Sequence, residues 1–567
     1  MDVLAQSQST IPRRPAAQVM RLSRLGSFHQ SRLSFMRILT RRMKRENWTF
    51  SRPVFEIDAN GVGHAVYSAH TPNRSYSLVA FAHDLPPEKR SDRVIAEAWD
   101  STFTLFDGVP NEADIERLRA NIPLQEAGRV TEKELSVSRA NRSVRLWEHM
   151  VAALAEGRQP DRAEVAKVGY LMRTTAVYGS GKLGAADREL IADRPECAAP
   201  FQIEMLSVFL TRAYVRDLMQ HMANARGREK AVPLAEDIAR SLGIGNSTGL
   251  GMAPFLLNHP TLFNNWILAR EEAIARVRAL PAATSAEVET FRDLLAQSCY
   301  SADLWSSEHP LQVEKLGVLR RDLTALASHV DATDFTEPDP WDRLFTWAES
   351  HLGEDAQECL ASLMLEPYGA LVDDLADGMA DRDAMAFRID GAMRVSELRA
   401  ILEETYGWAL KIDWAAKERC ARAWYVSEEK LEPRLGERFE EPIADYEQPL
   451  APGRDATALY LALQGQAADA PVAAFLLKHP EHRYSVRRAQ IVNRAPYAEI
   501  RDNTIGSDLM PIDMLRCKLS FFGATYFDPR SDRWVRICMF GNAPYPEELQ
   551  SSDADHWPYP SRPELSR

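Results

Sequence analysis

Residues 241–269 read SLGIGNSTGLGMAPFLLNHPTLFNNWILA, twenty-nine positions without an Asp, Glu, Lys or Arg in a chain that is 26% charged. A segment of that length without charge cannot follow the surface, so it marks the buried centre of the protein. Its glycines, asparagines and prolines exclude a membrane span, where breakers and unpaired amides are costly. Gly243, Gly245, Gly249 and Gly251 describe a backbone that turns tightly or that something approaches closely.

Two chemistries fit this stretch. Gly245, Asn246, Ser247, Thr248 and Gly249 spell GxSxG, the pattern of a nucleophile elbow, in which small residues let a serine stand exposed at a helix start while the next amide serves the oxyanion. An elbow follows a buried strand, however, and PLAEDIARSLG reads as helix. The same glycines also read as an anion cradle, with backbone amides and a helix N-terminus aimed at a phosphate or carboxylate. Neither nucleotide fingerprint is satisfied: Thr248 stands where a dinucleotide motif needs its last glycine, and Leu183 occupies the Ser/Thr position of a P-loop after Gly179-Ser180-Gly181-Lys182. The plainer alternative for the glycines is close packing plus a helix C-cap.

Working outward, residues 233–242 read as a helix on the N-terminal side, and 201–225 as one long helix between Pro200 and Gly227. On that long helix Asp217 and His221 stand one turn apart, as an acid/base pair or as an ordinary surface pair. The spacing from 111 onward is helical for some three hundred residues, with further helices expected at 286–297, 311–329, 341–352, 396–408, 414–425 and 456–466. A helix is also expected at 91–106. Before it, VFEID, HAVYSAH and SYSLVAFAH form a β-meander separated by ANGVG and TPNR. After a proline- and carboxylate-rich linker at 432–454, YSVRRAQIVN, LRCKLSFFGATYF and RWVRICMF return to β-like composition. The expected fold is α+β: a large, mainly helical body with a smaller antiparallel sheet built from N-terminal and C-terminal strands. The expected divisions are a tail at 1–15, a basic helix with the meander at 16–110, the helical body at 111–431, the linker at 432–454 and an Arg-rich α+β segment at 455–567.

Charge is unevenly spread. The chain carries −13 overall, yet residues 1–50 hold ten Lys and Arg against Asp2 and Glu46. Residues 16–45 read as a basic amphipathic helix whose stripe of Leu22, Leu25, Phe28, Met36 and Leu39 is expected to dock on the acidic body rather than on a membrane. The acidic balance argues against wholesale nucleic-acid binding. Residues 478–540 are net positive, and Arg487, Arg488, Arg533 and Arg536 read as strand arginines able to hold an anion. Six scattered cysteines without a CxxC pair, and a start without the layout of a secretory signal, point to a reduced cytoplasmic protein. His64, His70 and His83 have no diagnostic metal spacing, so no metal is expected and any cofactor stays open.

The resulting expectation is a soluble enzyme acting on a small anionic, carboxylate- or phosphate-bearing metabolite bound between the 243–251 loop and the Arg-rich C-terminal strands. Ser247, His259, Asp217 and His221 are the candidate catalytic groups, and Gly245, Asn246, Thr248, Gly249, Gly251 and the four arginines the candidate ligand contacts. The alternatives are a serine hydrolase using Ser247 and a non-catalytic binding or scaffold protein attached through its basic N-terminal helix. Oligomeric state is not legible.

Overall fold

The computed structural model describes residues 9–86, 88, 98–124, 129–174, 184–185, 191, 193–246, 259–379, 387–415, 422–426, 433–437, 451–501, 516–528, 536–553, 555 and 557. The three meander runs form β1 (Thr49–Ile57), β2 (Gly63–His70) and β3 (Ser75–Ala82), each antiparallel to the last. Local side chains close the turns. Asp58 Oδ1 accepts from the amides of Asn60 and Val62, and Thr71 Oγ1 from those of Asn73 and Arg74. β4 (Ser101–Asp107) and β5 (Glu134–Arg142) continue the antiparallel order. Both faces are covered, one by the helix Glu112–Asn121 over Val79, Phe106 and Val137, the other by the main core at Leu78, Phe103 and Leu105.

β6 (Tyr170–Thr174) then leads through α1 (Gln202–Gly227) to β8 (Gly243–Asn246), and the two strands pair in parallel. Parallel neighbours need a crossover, and α1 supplies it. Its first half is buried nearly all round, from Gln202 to Val215, because it crosses the sheet under the rest of the body. A two-residue β7 (Gly184–Ala185) pairs with β5, and the hairpin of β9 (Arg422–Val426) with β10 (Pro433–Glu437) stands apart. β11 (Tyr526–Asp528) and β12 (Arg536–Met539) complete a ten-stranded sheet in which β12 pairs with β8. The fold is α+β, and strands from both ends of the chain share the sheet. The uncharged stretch itself carries the strand that joins them.

Several local expectations are corrected. Residues 243–246 are a buried strand, not part of a loop joining two helices, and the pairing of β8 with β6 makes the sheet mixed. The helical run from 111 is interrupted by β5, β6 and β8. The helix expected at 91–106 is β4 from Ser101 onward, and the 414–425 helix gives way to β9. Residues 483–494 form a helix rather than a strand, since Val486, Ala489 and Gln490 all turn to one buried face. The 16–45 helix is broken: only Ala16–Val19, Leu22–Arg24 and Phe35–Arg45 are helical. Between them Gly26 adopts φ +81 with the Arg516 backbone against it, and the amides of Ser27 and Ser31 bond the carbonyls of Arg516 and Ser520. Those tertiary bonds replace the helical ones.

Leu22, Leu25, Phe28, Met36 and Leu39 are all buried in the main core. The arginines beside them meet carboxylates of α2 (Pro260–Arg278), α3 (Glu354–Leu363) and the turns beyond. Arg14 bonds Glu271 and Glu358 at 2.7 Å each, Arg24 reaches Glu358 at 2.9 Å, and Arg37 grips Glu366 with both terminal nitrogens. Arg32 holds Asp373, and Arg42 holds Asp377. A second helical core, separate from the first, is formed by α4 (Val395–Tyr406), Ala451–Gln464, Val472–Lys478 and α5 (Arg483–Arg494). Among the described residues no helix is long and apolar enough to cross a membrane.

Candidate functional site

β6 and β8 end side by side, at Thr174 and Asn246, and this end of the parallel pair gathers the buried polar groups. In sheets with parallel strands the carboxyl ends face the crossovers, which opens room for a ligand there. β8 is a strand of small residues because its neighbours leave no space. A Cβ at Gly243 would lie 2.2 Å from the Met539 carbonyl, and one at Gly245 would lie 2.7 Å from the Tyr170 ring. These two glycines therefore serve close packing.

Asn246 is the first residue of the strand with a polar side chain, and it is buried. Its Nδ2 donates to the Thr174 carbonyl at 3.2 Å, and its Oδ1 accepts from Lys518 Nζ at 3.2 Å. Thr174 Oγ1 donates in turn to the Arg139 carbonyl. Lys518 is wholly buried at the start of a π-helical turn, Lys518–Phe522, that ends at Gly523 with φ +89. Single π turns inside a chain are frequent at functional sites. Burial pushes the Lys518 amine well below the ordinary lysine range.

Thr174 also lines a small cavity between α1 and β5. The lining alternates on both elements as their periods require: Ser136 and Ser138 two apart on the strand, and Glu204, Ser207 and Thr211 on one face of the helix. Its volume of about 10 Å³ is close to that of one water. Ser136 Oγ is buried there without a hydrogen-bond partner among the described residues. α1 runs antiparallel to β8, since Arg212 bonds the Leu242 and Arg240 carbonyls at the strand's amino end while the cavity lies against the helix's first turns. The positive end of the helix dipole thus points toward the same end of the sheet as Lys518.

Compared with known proteins, the chain matches no family model, no curated protein and no solved structure.

The candidate residues divide in space. Asn246 lies at this end of the sheet, and the backbone of Arg536 lies beside it, one residue before Ile537, which pairs with Asn246. Ser247, Thr248, Gly249, Gly251 and Arg533 fall outside the described residues. His259 precedes α2 as a half-buried residue whose side chain makes no capping bond. Asp217 and His221 lie on the second half of α1, beyond Arg212, and serve other partners. Asp217 Oδ2 accepts from Arg52 at 2.7 Å and Tyr67 at 2.8 Å, and His221 Nε2 bonds the Asp58 carbonyl, so both fasten the meander to α1. They do not pair with each other. Arg487 and Arg488 sit on α5 in the second helical core, and Arg488 is paired with Glu499 beside Tyr406. Neither is on the sheet.

Lys518, Glu204, Thr174 and the two serines of β5 were not among the candidates. One signal was available: Lys518 stands between Cys517 and Leu519 in the largely apolar LRCKLSFF, where a lysine has to be either buried or displaced. Among the described residues no group of three His, Cys, Asp or Glu is placed to hold a metal.

Proposed function

We propose that the protein is an enzyme acting on a small carboxylate- or phosphate-bearing metabolite, bound at the carboxyl ends of β6 and β8. The observation that carries this reading is the buried Lys518 amine at 3.2 Å from Asn246. A lysine buried away from water is an expensive residue to keep, and an anion beside it would favour its charged form. The water-sized cavity lined by Ser136, Ser138, Thr174, Glu204 and Ser207 is too small for a metabolite, and it supports the reading only as a polar wall beside the place where the substrate would lie. The free thiols of the described cysteines support a reducing, cytoplasmic setting.

The test is anion-dependent thermal stabilisation. Inorganic phosphate and malonate are expected to raise the melting temperature of the wild type and to leave Lys518→Met unshifted, while the unliganded variant melts within a few degrees of the parent. Equal stabilisation of both proteins would sink the reading.

One observation favours a second reading. The residue before Ser247 ends a buried strand, which is the context a nucleophile elbow requires. A fluorophosphonate probe that labels the wild type but not Ser247→Ala would make the protein a serine hydrolase.

A further inference from the structure

Most buried cations of this protein are matched with carboxylates, but one surface is built differently. On α5, Arg483, Arg487 and Arg494 fall within about 40° of one another around the helix axis. Arg487 and Arg494 both stand over the Phe387 ring, at 5.5 and 5.1 Å. That stacking holds two guanidiniums side by side despite their like charge. Lys478, Arg483 and Arg494 form no ion pair among the described residues. Glu481 is the one acid in the turn before the helix, and it is engaged by His479 at 3.3 Å.

The same corner carries the two most exposed large apolar side chains among the described residues, Leu477 at 87% and Tyr484 at 83%. They flank the turn Pro480–His482, which Phe475 braces from beneath by stacking on His479 and His482. Exposed tyrosine and arginine on a rigid support are the residues that dominate protein interfaces, and an exposed leucine beside them favours a partner with apolar side chains of its own.

We propose that the α5 face, with Leu477 and Tyr484 at its edge, is a docking surface for an acidic amphipathic segment of a partner protein. Charge complementarity selects the acidic partner: the surface is locally cationic on a chain of net −13. The apolar pair selects a protein over a nucleic acid, because the overall negative charge opposes a long polyanion while a short acidic helix need meet only this face.

The full-length protein is titrated, by fluorescence anisotropy, with a peptide of about twenty residues carrying Glu and Leu at helical spacing, beside a scrambled peptide of the same composition. The patterned peptide is expected to bind tighter than the scrambled one, and Arg483→Glu/Arg494→Glu and Tyr484→Ser are each expected to weaken it by about tenfold or more. Both variants alter exposed positions, so an unchanged melting temperature keeps the comparison fair. Oligothymidylate or phosphatidylserine vesicles binding more tightly than the peptide would overturn the proposal in favour of those partners. Concentration-dependent self-association abolished by the same substitutions would overturn it in favour of a second copy. Failure of both peptides to bind at millimolar concentration, or variants that bind like the wild type, would remove the surface altogether.

Discussion

Arg14, Arg24 and Arg37 near the N-terminus and Arg483, Arg487 and Arg494 on α5 belong to segments of similar composition, yet the first three are buried while Arg483 and Arg494 are exposed. The difference lies in the facing element. Glu271 on α2, Glu358 on α3 and Glu366 just beyond it present carboxylates to the N-terminal segment, whereas on α5 only Arg488 meets a carboxylate, that of Glu499, and Arg483 and Arg494 face solvent and one aromatic ring. A net charge counted along sequence therefore does not indicate a binding surface. What counts is the charge left after the folded partners have been subtracted.

Burial also changes what each arginine is worth. An exposed pair contributes little, and a buried pair is not strongly stabilising relative to an apolar replacement, but removing one partner of a buried pair strands the other. Glu358 is the sharpest case, since Arg14, Arg24 and Arg270 all converge on its carboxylate. Glu358→Ala is expected to destabilise the protein by about 3–5 kcal/mol, read as a shift in the urea midpoint. A loss below about 1 kcal/mol, no more than a surface substitution gives, would erase the contrast between the two regions.

Acid should act on the same region in a graded way. Burial alone would raise the Glu358 carboxyl, but the guanidiniums of Arg14, Arg270 and Arg24 outweigh it and bring the group from 4.5 down to about 2. Glu366 is lowered in the same way, with Arg37 and His29 overcoming burial. Between the ordinary glutamate value and the folded one, the unfolded chain binds more protons than the native state, so stability falls as pH falls through that window and is complete above it. Urea midpoints at about pH 5, 4 and 3 are expected to drop more steeply for the wild type than for Glu358→Gln, which has no carboxyl to titrate there. Parallel slopes would mean that other carboxylates dominate.

The periods that describe regular packing were legible in the sequence. VFEID, HAVYSAH and SYSLVAFAH became β1 to β3, and α1 runs close to the interval marked by Pro200 and Gly227. What was not legible depended on distant backbone. GIGN has poor intrinsic strand tendency and is extended through its pairing with β6 and β12, which lie so close that only glycine fits at 243 and 245. α5 is rich in Tyr, Val and Ile, and its helical period is carried by Val486, Ala489 and Gln490 against a core assembled from α4 and its neighbours. The candidate site was read in part. Asn246 belongs to the stretch first singled out, but its contact with Lys518 joins residues far apart in the chain, and no local pattern reports that. Asp217 and His221 had suitable spacing and were drawn to Arg52, Tyr67 and Asp58 instead.

The smallest expected effect lies on the exposed side of the comparison. Arg483 and Arg494 are exposed and touch no carboxylate among the described residues, so replacing either by Ala strands no buried charge, and at Arg494 it removes only the stacking on Phe387. Arginine and alanine also differ little in helix tendency. Each substitution is expected to change stability by less than about 0.5 kcal/mol, within the range of ordinary surface changes. The sign is informative as well. Arg483 stands in the first turn of α5, where a cation opposes the positive end of the helix dipole, so Arg483→Ala should be neutral or slightly stabilising. Arg494 stands in the last turn, where a cation is favoured, so Arg494→Ala should be neutral or slightly destabilising. Urea midpoints of the two variants measured at low salt test both signs, and the difference between them should shrink as salt is added. A large loss at either position would mean that the residue is held as the N-terminal arginines are, by a carboxylate that takes its charge out of use, and the α5 face would then have no uncommitted cation to offer a partner.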